Sequence, residues 1–155
     1  MKNFEELKQE LLNRAKEASA CQTGYKMGLN SNSKQDLLKA ITANWFWVLR
    51  DAKIVDAKYL EENFTEEELA EAGIYTAKVH RVTSIAFACG SATVKACGSA
   101  TVKAYGSATV EAYNNSYVED CKGGIMPQSD YAIVKDYYRH KIYIKKGKFE
   151  VIEVD

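Results

Sequence analysis

Residues Gly90–Tyr113 read GSATVKAC, GSATVKAY, GSATVEAY, three octads with no insertion between them. The same eight-residue spacing extends more loosely from Val82 to Tyr137, giving seven copies. Aligned, the fifth column holds Ala86, Val94, Val102, Val110, Val118, Met126 and Val134, all apolar. Two positions earlier stand Ser84, Ala92, Ala100, Ala108, Ser116, Gly124 and Ala132. Two positions later stand Ala88, Ala96, Ala104, Ala112, Asp120, Gln128 and Asp136. Small and apolar residues at alternate positions are the period-2 signature of a strand with one buried face. The columns between them, Thr93, Lys95, Cys97 and Thr101, Lys103, Tyr105, read as the solvent face. Gly-Ser, or Asn114-Asn115, heads each central copy and supplies the positive backbone angle of a tight corner.

Side-chain parity decides how the octads follow one another. With Gly-Ser as a two-residue hairpin turn, Tyr105 would share a face with Ala108 and Lys103 with Val110, so no continuous core could form. A three-residue turn restores parity but places Gly first, whereas the common three-residue loop wants its left-handed residue last. A β-solenoid keeps every Val inside, because parallel strands stack with identical columns in register. One octad cannot close a turn, and a three-octad triangle would need inward residues larger than Ala and Val to fill it. Two octads per rung are therefore expected, with about three and a half rungs stacking to roughly 17 Å. Both open ends of so short a stack need covering.

The GSATV-Lys/Glu-Ala-Tyr octad resembles repeats in proteins encoded by gut bacteria and their phages and prophages. The likeness is specific over Gly90–Tyr113 and looser over Val82–Tyr137, and the pattern breaks at Lys122–Ser129, where Pro127 takes the usual Lys or Glu position. It implies a β-solenoid of mobile-element origin and brings no catalytic motif with it.

The 155 residues carry 21 basic and 21 acidic side chains, a net charge of zero. The balance is −3 over residues 1–73, +2 over 74–81, −1 over 82–137 and +2 over 138–155. Nothing here makes a strong field, which argues against nucleic-acid partners and against an acidic DNA mimic. The opening MKNFEELKQELL has no apolar leader core, and no run approaches a membrane span. A cytoplasmic protein that does not meet the membrane is expected.

The remaining chain reads as two caps. Asn3 with Glu6 forms a capping box ahead of Phe4, Leu7, Leu11, Ala15 and Ala18, predicting a helix over about 4–18. Cys21–Asn32, with Gly24 and Gly28, reads as a loop or short irregular helix. Ser33 and Asp36 open a helix whose stripe is Leu37, Leu38, Ile41, Trp45, Val48 and Leu49. Trp45, Phe46 and Trp47 cannot all lie on its inner face. Short helices follow Asp56 and Thr65, the second with a Thr65/Glu68 capping box and Gly73 at its stop. Ile74–Arg81 reads as a strand entering the solenoid, and Lys141–Val154 as a β-hairpin turning at Lys146-Gly147 with Ile142 and Ile144 facing Phe149 and Val151. The expected fold is α+β: a helical N-terminal cap over 1–73, an octad solenoid over 74–137, and a hairpin cap over 138–155.

Chemistry is sparse. Cys21 with His80 or His140 would be the only nucleophile and base for a small hydrolase, and no local signature supports it. Cys89, Cys97 and Cys121 lack the close spacing of a zinc site. On a sixteen-residue rung, Cys89 and Cys97 would point out of opposite faces, and Cys89 and Cys121 would lie two rungs apart, beyond disulfide reach. The acidic run Glu61–Glu68 has no histidine near it and reads as a solvated helix face. Thr93 and Thr109 on one face, flanked by charge, make too small an array for ice. No enzyme, metal or cofactor is expected.

What remains is the outer surface. Tyr105, Tyr113, Tyr117 and Tyr137, with neighbouring Lys95, Lys103 and Glu111, would form amphipathic rows, and Trp47 is the spare aromatic of the helical half. Tyr is enriched at protein interfaces. The expected function is a non-enzymatic interaction module that binds a host protein in the manner of a phage anti-defence inhibitor. A self-assembling structural solenoid, a homodimer in its simplest form, is the alternative.

Overall fold

The computed structural model describes residues 1–155 and divides into two compact units, 1–76 and 77–155. The first unit is helical, with α1 (Phe4–Glu17), α2 (Gln22–Leu29), α3 (Lys34–Ala43), a π turn at Trp47–Asp51, α4 (Ala57–Asn63), α5 (Glu66–Glu71) and a two-residue extended stretch β1 (Ile74–Tyr75). Side chains cap the starts of all five α-helices: Asn3, Cys21, Ser33, Asp56 and Thr65 each accept from an amide in the first turn. The Asn3/Glu6 and Thr65/Glu68 capping boxes are both closed, and Gly73 stops α5 at φ 73°. Within Cys21–Asn32, read as a loop or short irregular helix, Gln22–Leu29 forms an eight-residue α-helix with the Cys21 thiol as its cap.

The aromatic triplet is accommodated by a change of helical pitch. α3 stops at Asn44 (φ −122°, ψ 31°), and the chain rewinds as the π turn. Trp45, Val48 and Leu49 then sit buried beneath Leu37, Leu38 and Ile41, as the stripe requires, while Phe46 and Trp47 are half-buried.

The second unit is the solenoid: β2 (Val79–Val82), β3 (Ile85–Ala88), β4 (Thr93–Ala96), β5 (Thr101–Ala104), β6 (Thr109–Ala112), β7 (Tyr117–Asp120), β8 (Ile133–Asp136) and β9 (Lys141–Tyr143). Strands β2 to β7 alternate between two parallel sheets, β2-β4-β6 and β3-β5-β7-β8; the octad before β8 contributes only a bridge at Pro127 to the smaller sheet, and the coil makes about four turns. Thr93 pairs with Thr109 and Thr101 with Tyr117, so the rung is sixteen residues, as parity and side-chain volume demand. Val94, Val102, Val118 and Val134 are completely buried, with Ala86, Ala92, Ala96, Ala100 and Ala132 around them. Gly90, Gly98, Gly106 and Asn114 turn the corners at φ 62°, 60°, 69° and 51°. Asn114 also accepts the Gly98 amide from the neighbouring rung at 2.9 Å.

Four sequence expectations need correction. The entering strand over Ile74–Arg81 is broken into β1 and β2 by a corner in which Lys78 takes φ 63°, and β2 pairs fourteen rather than sixteen positions from β4 (Val79 with Thr93). The cysteines are not on the solvent face: Cys89, Cys97 and Cys121 are all buried, their short side chains staying beneath a surface that the half-buried Tyr105, Tyr113 and Tyr137 of the same eighth position reach. The Cys97 thiol turns back to donate to the Lys95 carbonyl at 3.8 Å.

The third correction concerns the irregular sixth octad. Pro127 bridges Ala112, where strict periodicity would place Gln128, and the Gln128 amide donates to the Ala112 carbonyl at 2.9 Å. A slip of one residue exchanges faces. Ile125 and Pro127 accordingly take the inward sites, while Met126 (42% exposed) and Gln128 face solvent. The buried Asp120 holds the slip in place, its Oδ1 accepting from Lys122 and Gly123 and its Oδ2 from Ile125. Asp136, one rung on, does the same for Tyr138 and Arg139.

The fourth is the closing hairpin. An antiparallel pair does close the larger sheet, but it consists of β8 and β9, with Val134 opposite Tyr143 and Asp136 opposite Lys141. The turn at Lys146-Gly147 forms, with the Lys148 amide donating to Lys145 at 3.3 Å and Gly147 at φ 75°, yet no strand follows it. Phe149 packs edge-on against Tyr131 instead, centroids 5.9 Å apart.

The slipped register separates two neighbouring apolar residues. Ile125→Asp puts a carboxylate into the core and is expected to cost about 3 kcal/mol or more, whereas Met126→Asp should change stability by less than about 0.5 kcal/mol in urea unfolding. The reverse order would restore the unslipped octad.

Candidate interaction surface

The outward residues of the larger sheet form rows across the rungs because the register is sixteen. One row is Phe87, Lys103, Glu119 and Lys135, and beside it runs Ile85, Thr101, Tyr117 and Ile133. Glu119 is the centre of the face. Its carboxylate lies 3.6 Å from the Lys103 ammonium, and Tyr117 and Tyr137 each donate a hydroxyl to its Oε1 at 3.5 Å. The Lys135 ammonium sits 4.4 Å from the centroid of the Tyr137 ring. Only 16% of the Glu119 side chain is exposed, so the two phenols and the lysine cover the charge that orients them.

The electrostatics follow from this clasp. Burial first, then the charges of Glu119 and Tyr137, hold the Tyr117 phenol above its ordinary range, with Lys135 opposing. The hydrogen bond to Tyr137 keeps the Lys135 ammonium protonated further into the alkaline range than usual.

The residues singled out from sequence divide among three places. Lys103, Tyr105, Tyr117 and Tyr137 belong to the larger sheet and its corners, and Tyr105 is half-buried. Lys95 and Tyr113 belong to the smaller sheet, where Lys95 lies 3.7 Å from Glu111 and the Tyr113 hydroxyl donates to Glu111 at 2.9 Å. That bond, ahead of burial, raises the Tyr113 phenol. Trp47 is in the helical unit, where it helps to line a ≈ 60 Å³ apolar pocket with Leu11, Leu12, Gly28 and Leu37. The outward tyrosines and lysines thus fall into two separate Tyr-Glu-Lys groups, one on each sheet. Sequence reasoning named Tyr117, Tyr137 and Lys103 of the larger face but missed Lys135 and Glu119, the group that holds them. Its place sixteen positions after Lys103 was the available signal.

The groups weighed for chemistry are distributed as follows. Cys21 is in the helical unit, its sulfur accepting from the Gly24 amide at 3.4 Å, whereas His80 and His140 are in the solenoid unit. His80 shares a ring nitrogen bond with the Ala77 carbonyl at 2.8 Å. All four cysteines are free thiols, and no three His, Cys, Asp or Glu side chains gather closely enough to hold a metal ion. No helix is long and apolar enough to cross a membrane.

The helical unit contains one further unusual group. The Tyr59 hydroxyl is buried without a hydrogen-bond partner, and the Arg14 guanidinium lies 4.4 Å from the ring centroid. Burial pushes its phenol up to about 12, with Glu10 adding and Arg14 opposing.

Comparison with protein-family models, with curated proteins and with solved structures yields no match to this chain.

Two titrations test these assignments. Glu119→Gln should lower the Tyr117 pKa toward, but not to, its ordinary value in an ultraviolet absorbance titration, because burial persists when the charge is gone. An unchanged value would break the clasp. Tyr59 keeps its proton more tightly in the folded chain than in the unfolded one, where the pKa is about 10. The stability this contributes is present below that pH and lost as pH rises through about 12. Tyr59→Phe removes an unpartnered polar atom, so it should match or exceed the wild type at neutral pH and lose less stability over that alkaline window. Calorimetry across pH measures both.

Proposed function

We propose that the chain is a non-enzymatic interaction module of mobile-element origin whose larger solenoid face binds and blocks a host protein, in the manner of a phage anti-defence inhibitor. The observation that carries this reading is the clasp on Glu119. Tyr117, Tyr137, Lys103 and Lys135 are held by one another on a parallel sheet before any partner arrives. Ordering flexible side chains is a main cost of association, and a face already ordered avoids it. Tyr on a rigid strand surface is also among the residue types that concentrate binding energy at protein interfaces. The mobile-element origin rests on the octads themselves, and the host target is inferred from that origin. A cytoplasmic site of action belongs to the same reading.

The test is affinity capture from a bacterial lysate with the full chain as bait, alongside a Tyr117→Ala/Tyr137→Ala variant checked for an unchanged circular dichroism spectrum. A stoichiometric partner retained by the wild type and lost by the variant is the expected result, together with improved plating of a phage on a host whose nuclease defence restricts it. Complete absence of a partner would overturn the function, and equal retention by the variant would overturn the face.

A further inference from the structure

The strand that closes the larger sheet has one edge paired to β8, and no strand follows it in the sheet. Such an edge presents a row of backbone donors and acceptors that a further strand can take up. The stretch best patterned to do so within this chain is Phe149–Asp155, FEVIEVD, rich in β-branched residues. It does not return along β9. Lys148 is held to Asp130 at 3.1 Å, and Phe149 meets Tyr131 edge-on, which fixes the start of the stretch at the corner around residue 130. Beyond that anchor Val151, Ile152 and Val154 are 73%, 73% and 87% exposed, and on β9 itself Ile142 is 64% exposed.

Charge decides the occupant. β9 and the turn after it carry Lys141, Lys145 and Lys146, while the exposed stretch carries Glu150, Glu153 and Asp155. A lysine-bearing edge repels its own kind and so disfavours β9 pairing with another β9. It accepts an acidic strand. We propose that Glu150–Asp155 of one copy of this chain adds to the β9 edge of a second copy, joining solenoid units by strand addition. The proposal does not depend on the Tyr117/Tyr137 face, which lies on other strands.

Sedimentation velocity over a range of concentration and salt tests it. The full chain should self-associate, more weakly as salt rises. A chain ending at Phe149 keeps the Tyr131 contact and should be monomeric throughout. Glu150→Lys/Glu153→Lys should weaken association roughly tenfold, and adding Lys141→Glu/Lys145→Glu to it should restore association. A strict monomer at every concentration overturns the proposal, as does association that survives the truncation. Concentration-independent protection of β9 amides from hydrogen exchange, removed by the truncation, would show the stretch folding back on its own β9 and would overturn it too.

Discussion

Every turn of the solenoid depends on how little room lies between its two sheets. The inward positions are Ala, Val, Ala on β4, β5 and β6, and the valines of alternate octads stack with nothing between them and their partners above and below. Side chains of that size fill a flattened sixteen-residue coil and would leave a wider one hollow, which protein interiors do not tolerate. The narrow core in turn makes the corners tight, and the corners require left-handed residues at their heads. Gly90, Gly98, Gly106 and Asn114 meet that need, and the Asn114 side chain ties one corner to the next.

The rung, its parity and its parallel direction were legible in the octads because each copy repeats the same evidence. The helical caps were legible for the same kind of reason: Asn3/Glu6 and Thr65/Glu68 are local signals that need no tertiary context. What was not legible came from places where one residue decides. The octad Lys122–Ser129 reads as broken at Pro127 while Met126 keeps the apolar column, yet Asp120 supplies acceptors for three amides of the following loop and so draws Ile125 rather than Met126 into the core. An alternating pattern cannot reveal a slip of one when both neighbours are apolar. The hairpin over Lys141–Val154 had the right turn and the right periodicity, and was overridden by a tertiary contact, Phe149 on Tyr131.

The candidate surface was partly legible. Tyr117, Tyr137 and Lys103 could be picked out as outward, but their convergence depends on which residues lie exactly one rung apart, and Glu119 becomes central only once that spacing is fixed. Tyr113 and Lys95 belong, through the alternation of strands between sheets that the rung size implies, around Glu111 on the other side. Trp47 was named for being in excess on a helix that would have been continuous. The π turn gives it a place of its own.

The alternation of strands between two sheets also constrains how such a coil can change its length. Three nearly identical octads in tandem, Gly90–Tyr113, are the kind of sequence that gains and loses copies by unequal exchange. Adding or removing a pair of octads would lengthen or shorten the stack and leave every later strand in its own sheet. Gaining or losing a single one would send all later strands to the opposite sheet, exchanging the faces on which their outward residues stand. Heritable variation in this architecture is therefore quantised in steps of two.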